Sequence, residues 1–435
     1  MRITERFPII ESTLHLGARP MYRPRITDPQ IKTLLGAAGA VVIEGPKACG
    51  KTESARQFAA SEVRLDVDRN AREAASVDPS LVLEGPVPRL IDEWQLEPEI
   101  WNHVRRAIDD RRDRGQFILT GSAVPADDAT RHTGAGRFAR LRMRPMSLCE
   151  SGHSDGTVSL EALIAGEPAR AADPGLDVRA LADRIVTGGW PALIDRSTEE
   201  ASVAVRAYLD DIRRSDIQRV DGVAHDPERV MELMRSLARN VATTAGVATV
   251  ARDLAGSDRP IDPDTAYRYH DALVRLMVVE DQPAWAPHLR SRSRIRSSPK
   301  RHFVDPSLAA AALRATSPRL LADLELMGFL FESLVIRDLR IYAQDQDAQV
   351  LHYKDNTDLE VDAIVERADG VWGAFEVKLG TGTVDAAAEA LHRFADRVDT
   401  TKAGTPAILG VITGTGLAYS RPDGVRVIPI GTLGP

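Results

Sequence analysis

The sequence predicts an α/β fold: a parallel sheet first, a mainly helical middle, and a second, smaller α/β unit at the end. Three observations carry that prediction. Strand-length apolar runs at 41–44, 63–67, 89–91 and 117–119 alternate with helical stretches at 51–60 and 97–112, the order of a parallel sheet with crossover helices. Residues 226–286 show helix-length periodicity, and strand patterns return at 359–378. The units implied are 1–156, a helical lid or connector at 157–225, a winged-helix unit with basic linker at 226–300, and a closing α/β unit at 301–435.

The first strand, Val41-Val42-Ile43, runs into Gly45-Pro46-Lys47-Ala48-Cys49-Gly50-Lys51-Thr52, a full G-x-x-x-x-G-K-[ST] phosphate loop. Glu53 and the residues to Ala60 read as the helix that must follow. The glycines let successive N–H groups turn toward phosphate oxygens, and the helix start adds its positive end. Lys51 is then placed to neutralise the β and γ phosphates of a nucleoside triphosphate, and Thr52 to offer its hydroxyl to Mg2+. The bare pattern occurs by chance; a strand before it and a helix after it give it weight.

The next strand ends in Leu90-Ile91-Asp92-Glu93-Trp94-Gln95. Phosphoryl transfer needs positioning and charge neutralisation, so Asp92 is the candidate for the metal and Glu93 for taking a proton from the attacking water. Two solvated acids at a helix start would look the same. Phe117-Ile118-Leu119-Thr120-Gly121-Ser122 brings polar residues to another strand end, where Thr120 and Ser122 could face the γ-phosphate or merely feed a turn. Arg137, after Gly134-Ala135-Gly136, is the candidate arginine for the γ-phosphate, in its own subunit or a neighbour's.

Composition narrows the class. The chain is 435 residues long, 43% hydrophobic and 27% charged, which excludes a disordered or fibrous protein. A net charge of −7 gives no global nucleic-acid footprint, so contact with DNA would rest on local patches. The two cysteines, Cys49 and Cys149, cannot build a disulfide framework, and a reducing cytoplasm fits them. No apolar run of membrane-spanning length is present, and no signal-peptide core follows Met1-Arg2-Ile3, so no membrane partner is expected.

Ser151-Gly152-His153-Ser154-Asp155-Gly156 breaks periodicity, and Gly188-Gly189-Trp190-Pro191 reads as a turn. Helices at Arg229–Asn240, Val247–Leu254 and Asp262–Leu276, then a strand at Met277–Asp281, follow winged-helix order. Thr265, Tyr267, Arg268 and His270 would lie near the exposed side of the recognition helix, though such modules also dock proteins. Arg290, Arg292, Arg294, Arg296, Lys300 and Arg301 form a basic strip able to grip phosphates, or a solvated loop.

In the last third, Glu376 and Lys378 fall on one face of a strand, and Asp362 joins them if its strand pairs as a hairpin. The arrangement resembles the PD-(D/E)xK nuclease core, which implies that Asp362 and Glu376 hold a divalent metal such as magnesium or manganese, that Lys378 positions or activates water, and that Glu332 completes the site from a helix. A hairpin with a cross-strand ion pair would show the same pattern.

The whole chain resembles the bacterial and archaeal ATP-binding proteins that join an AAA-type ATPase to a C-terminal, restriction-endonuclease-like domain of unknown function. The likeness lies in the phosphate loop with Cys49, the stretches 90–95, 117–122, 134–137 and 188–191, and Phe303-Val304-Asp305-Pro306, Phe331-Glu332, Glu360-Val361-Asp362 and Phe375-Glu376-Val377-Lys378. Thr133 stands where a serine is expected. The resemblance implies ATP and Mg2+ as ligands, γ-phosphate sensing at Thr120, and a base pocket near Tyr22-Arg23-Pro24-Arg25. The expected function is ATP binding and hydrolysis whose nucleotide state controls a C-terminal effector, with DNA as a candidate target. Alternatives are a metal-dependent, ATP-regulated DNA nuclease and an ATP-driven signalling switch that captures a protein partner; a homo-oligomer is a further candidate assembly.

Overall fold

The computed structural model of the protein describes residues 22–122, 133–222, 225–254, 262–287, 298–357 and 359–435. Five parallel strands form the first sheet: β1 (Ala40–Glu44), β2 (Ser61–Arg64), β3 (Arg89–Asp92), β4 (Phe117–Gly121) and β5 (Phe138–Arg142). Their order is β2-β3-β4-β1-β5. Side chains alternate across a strand, so the continuous apolar run of β1 feeds two cores. Val41 and Ile43 join Ile31, Leu90 and Ile118 on one face; Ala40 and Val42 join Trp101, Val104 and Leu119 on the other. Because β4 lies between β3 and β1, its end sits between the phosphate loop and the acidic pair. Ligands of such sheets bind at the strand ends.

After β5 the chain passes through β6 (Val158–Ser159) into helices Val178–Thr187 and Thr198–Asp211. The latter continues through a wide π-helical turn, Ile212–Asp216. Helices Pro227–Arg239, Val247–Asp253 and Pro263–Arg275 follow, then antiparallel strands β7 (Val279–Gln282) and β8 (Lys300–Phe303). Helix Pro306–Ala312 is buried throughout and packs on the helices at 178–187, 198–211 and 227–239. It therefore completes the helical layer, although sequence alone assigns it to the closing α/β unit.

That unit opens with helix Leu324–Asp345 and continues as β9 (Ala348–Lys354), β10 (Glu360–Arg367) and β11 (Trp372–Lys378), paired antiparallel in sequence. Helix Val384–Arg397 crosses to β12 (Ile408–Thr413), which runs parallel to β11. β13 (Tyr419–Ser420) and β14 (Arg426–Pro429) finish the sheet, and β15 (Leu433–Gly434) pairs with β6. The long helix covers one face and helix Val384–Arg397 the other, over a cluster of Trp285, Trp372 and Phe394.

The Gly188-Gly189-Trp190 turn is a joint between units. The Gly189 amide donates to Asp305 Oδ2 at 3.0 Å, and Trp190 Nε1 donates to Ser307 Oγ at 3.0 Å. A Cβ on Gly189 would lie 2.0 Å from the Met146 carbonyl oxygen, so only glycine fits. Nearby, His153 meets Arg184 Nη1 at 2.9 Å. Burial and the Arg184 charge push its pKa down to about 4 from 6.5. Between those values the unfolded chain takes up a proton that the folded one refuses, so this contribution is complete above pH 6.5 and declines as pH falls toward 4. Wild type should lose more melting temperature than His153→Gln between about pH 7 and pH 5, read by scanning calorimetry.

Candidate nucleotide site and carboxylate cluster

The phosphate loop leaves β1 at the strand end and closes into helix Lys51–Arg56. Gly50 sits at φ 103°, a conformation glycine adopts without strain. A Cβ on Gly45 would lie 2.2 Å from the Met143 carbonyl oxygen. Lys51 is buried, with Nζ donating to the carbonyls of Gly45 at 2.9 Å and Pro46 at 2.8 Å. Cys49 is buried against Met143 and behaves as a small residue. Arg25, which sequence reading links only to the base, donates to the Cys49 carbonyl at 2.8 Å and pairs with Glu150 at 2.9 Å. Tyr22 contacts Ser54 of the loop helix at 2.9 Å. Lys47 pairs with Asp216 in the π-helical turn at 2.5 Å. Ala48, with φ 60°, completes the bend, and Glu53 pairs with Arg56 at 2.5 Å on the outer side.

Three oxygens converge beside this loop. Thr52 Oγ1 donates to Asp92 Oδ1 at 2.9 Å, and Thr120 Oγ1 donates to the same oxygen. Glu93, the next residue, takes a left-handed backbone with φ 56°, a strained choice that redirects its carboxylate at the strand end. Ser122 Oγ donates to Glu93 Oε2 at 3.2 Å, and Gln95 Nε2 donates to it as well. Among the described residues, Gln95 Oε1 is a buried acceptor without a partner. A hard hydroxyl and carboxylate at this spacing fit magnesium, and the unpartnered amide oxygen beside Glu93 fits a polar ligand or water. Gln95 escapes sequence reading because a glutamine after an acidic pair carries no pattern of its own.

Arg137 is not brought to this site within the chain. Its carbonyl accepts from Ala40 at 3.1 Å, at the beginning of β1, and its side chain pairs with Asp109 at 2.9 Å. The phosphate loop starts at the other end of that strand, about 15 Å away at ordinary strand rise. In-subunit action on the γ-phosphate is therefore corrected.

In the closing unit, Glu332, Asp362 and Glu376 come together, all buried, with Lys378 at their edge. β10 and β11 pair with Ala363 opposite Phe375, which sets Asp362 against Glu376. The Val377 amide donates to Asp362 Oδ2 at 2.9 Å, and Lys378 Nζ lies 2.6 Å from Glu376 Oε2 and 3.6 Å from Asp362 Oδ2. Lys300 enters from β8, 1% exposed, within 3.0 Å of Glu332, Glu360 and Asp362. Burial and the Asp362 charge raise Glu332 and Glu376 to about 8 each. Burial acts against ionised Asp362 too, but Lys300 and Lys378 outweigh it and hold it below the usual range. The same carboxylates hold Lys300 well above its ordinary value despite burial. Among the described residues, no group of three or more His, Cys, Asp or Glu is arranged to hold a metal ion. Two of the proposed nuclease-like metal ligands, Glu332 and Asp362, thus meet at the Lys300 ammonium, and Glu376 pairs with Lys378.

The nucleic-acid candidates change accordingly. Lys300 and Arg301 are buried, Arg301 pairing with Asp281 at 2.8 Å, so neither belongs to a phosphate-gripping strip. Arg290, Arg292, Arg294 and Arg296 lie outside the described residues. His270 faces inward to Arg301 at 2.9 Å, while Tyr267 and Arg268 are exposed and Thr265 is half-buried. Among the described residues, no helix is long and apolar enough to cross a membrane.

A family profile described as an AAA domain matches residues 37–151, which contain the loop, Asp92, Glu93 and Thr120. The N-terminal unit is thus similar to an AAA domain. Profiles described as domains of unknown function match residues 178–319 (DUF8612) and 327–433 (DUF4143). Lys300 falls in the first of these, and the carboxylates around it fall in the second. Among solved structures, the Walker-type ATPase of Pyrococcus abyssi is similar at 13% identity, with 66% of this chain and 94% of that chain covered and a TM-score of 0.41. No curated protein matches the sequence.

Proposed function

We propose that the protein binds ATP with magnesium at Gly45–Thr52, hydrolyses it, and passes the nucleotide state to its C-terminal unit. The convergence of Thr52 and Thr120 on Asp92, with Glu93 held next to them by Ser122 and Gln95, carries this reading. Lys51 leaves the loop carbonyls for the β and γ phosphates. Thr52 and Asp92 would hold magnesium, which when bound neutralises phosphate charge. Thr120 fixes the Asp92 carboxylate, and Glu93 accepts the proton of the attacking water. Any arginine contribution from Arg137 would come from a neighbouring copy.

The order of helices, β7 and β8 supports a winged-helix reading of the middle unit, with DNA or a protein as its partner. The run of helix, antiparallel β9 to β11, helix and parallel β12 supports a restriction-endonuclease-like fold for the last. ATP turnover by purified protein, with and without double-stranded DNA, tests the function. Lys51→Ala should weaken ATP binding at least about tenfold and reduce turnover to background. Unchanged binding of a fluorescent ATP analogue by that variant would overturn the site assignment.

A further inference from the structure

Lys300 is the most enclosed cation of the carboxylate cluster. Its Nζ lies 2.7 Å from Glu332 Oε1, 2.7 Å from Glu360 Oε1 and 3.0 Å from Asp362 Oδ1. Those oxygens come from one helix and one strand of the closing unit, while the lysine arrives on β8 from the region before it. Oxygen donors of this kind, gathered around one point, are the environment hard divalent cations prefer. The point is already taken by a positive charge with a covalent tether.

We propose that Lys300 is a built-in substitute for a divalent cation, its ammonium filling the cation position and keeping the C-terminal unit metal-free. The strand that delivers it is firmly placed. β8 pairs with β7, whose Gln282 donates to the carbonyls of Leu351 and Asp362 at 2.9 Å each. His302, two residues beyond the lysine, sits 2.7 Å from Ser333 Oγ and 3.0 Å from Gln282 Oε1. A free metal ion must therefore compete with a tethered cation whose local concentration is set by the fold.

The same hairpin reaches the AAA domain. Glu280 on β7 pairs with Arg144 at 2.6 Å and lies 3.6 Å from Arg340 on the long helix. Arg144 follows Met143, whose carbonyl accepts from Cys49 of the phosphate loop at 3.7 Å. The segment beside the phosphate loop is thus tied through β7 to the strand that carries the substitute cation. The proposal itself depends only on the cluster and stands whether or not ATP is hydrolysed.

The test is Mn2+ binding to the nucleotide-free full-length protein, followed by electron paramagnetic resonance of the free ion. Wild type should show no site that Asp362→Asn removes. Lys300→Gln and Lys300→Ala should each gain one, at least about tenfold tighter than any wild-type site, and Lys300→Gln/Asp362→Asn should lose it. If removing the charge loosens the fold, Mn2+ should raise the melting temperature of the Lys300 variants and leave that of the double variant unmoved. An Asp362-dependent Mn2+ site in wild type, or Lys300 variants that neither bind Mn2+ nor are stabilised by it, would overturn the proposal.

Discussion

Glu93→Gln is expected to slow ATP turnover by about 10²–10³-fold while leaving ATP affinity within about threefold. The amide keeps the size of the carboxylate and can still occupy the space beside Ser122 and Gln95. It cannot take a proton. The left-handed backbone at Glu93, φ 56° at the strand end beside Asp92, is the observation that motivates testing it in that role. Single-turnover hydrolysis and equilibrium binding separate the two effects. Equal loss of binding and turnover would point to a structural role, and unchanged turnover would remove Glu93 from the chemistry.

A comparably large effect on stability is expected from Arg337→Met. The guanidinium is fully enclosed between Asp305 Oδ2 at 2.8 Å and Asp338 Oδ1 at 2.7 Å. Asp305 also receives the Gly189 amide, and Asp338 receives the Leu148 amide at 3.0 Å. Removing the cation leaves two buried carboxyl groups facing each other, a change that costs about 3–5 kcal/mol. Burial already lifts Asp338 to about 6 even with the arginine present, so without it that group is expected to fold protonated. Denaturant titration should show the loss. Hydrogen exchange at Leu148 and Gly189 should rise in the variant ahead of exchange in β1 and β4. Adding Asp338→Asn to Arg337→Met should recover part of the stability, since one uncompensated charge is then gone.

The geometry of the candidate nucleotide site was legible because its parts are local. A phosphate loop is one contiguous pattern between a strand and a helix, and Asp92, Glu93 and Thr120 stand at the ends of apolar strands that a parallel sheet brings to one edge. Arg137 shows where this kind of inference fails. Its neighbours resemble a loop near a phosphate, but strand register decides which edge a residue occupies, and register is not written in any short stretch. Lys300 fails for a related reason. Its partners Glu332, Glu360 and Asp362 are all distant in sequence, so its role depends on how β8 meets a helix and a strand of another unit. A basic run ending in a strand gives no hint that the last lysine turns inward. The juxtaposition of Asp362 and Glu376 was readable from strand alternation and hairpin pairing; the buried cation beside Asp362 was not.

The pairing of β15 with β6 has a mechanical meaning. The chain leaves the AAA domain through residues 143–157, and immediately afterwards its path is stitched to the last strand of the closing unit. The Ser154 hydroxyl adds a bond to the Leu433 carbonyl at 2.7 Å, and the Asp155 amide one to Gly431 at 3.0 Å. A connector held at both of its ends cannot swing as a free hinge. The proposed nucleotide signal is then expected to reach the closing unit as a small sliding shift of packed elements, of about 1–2 Å, and not as an opening about this connector.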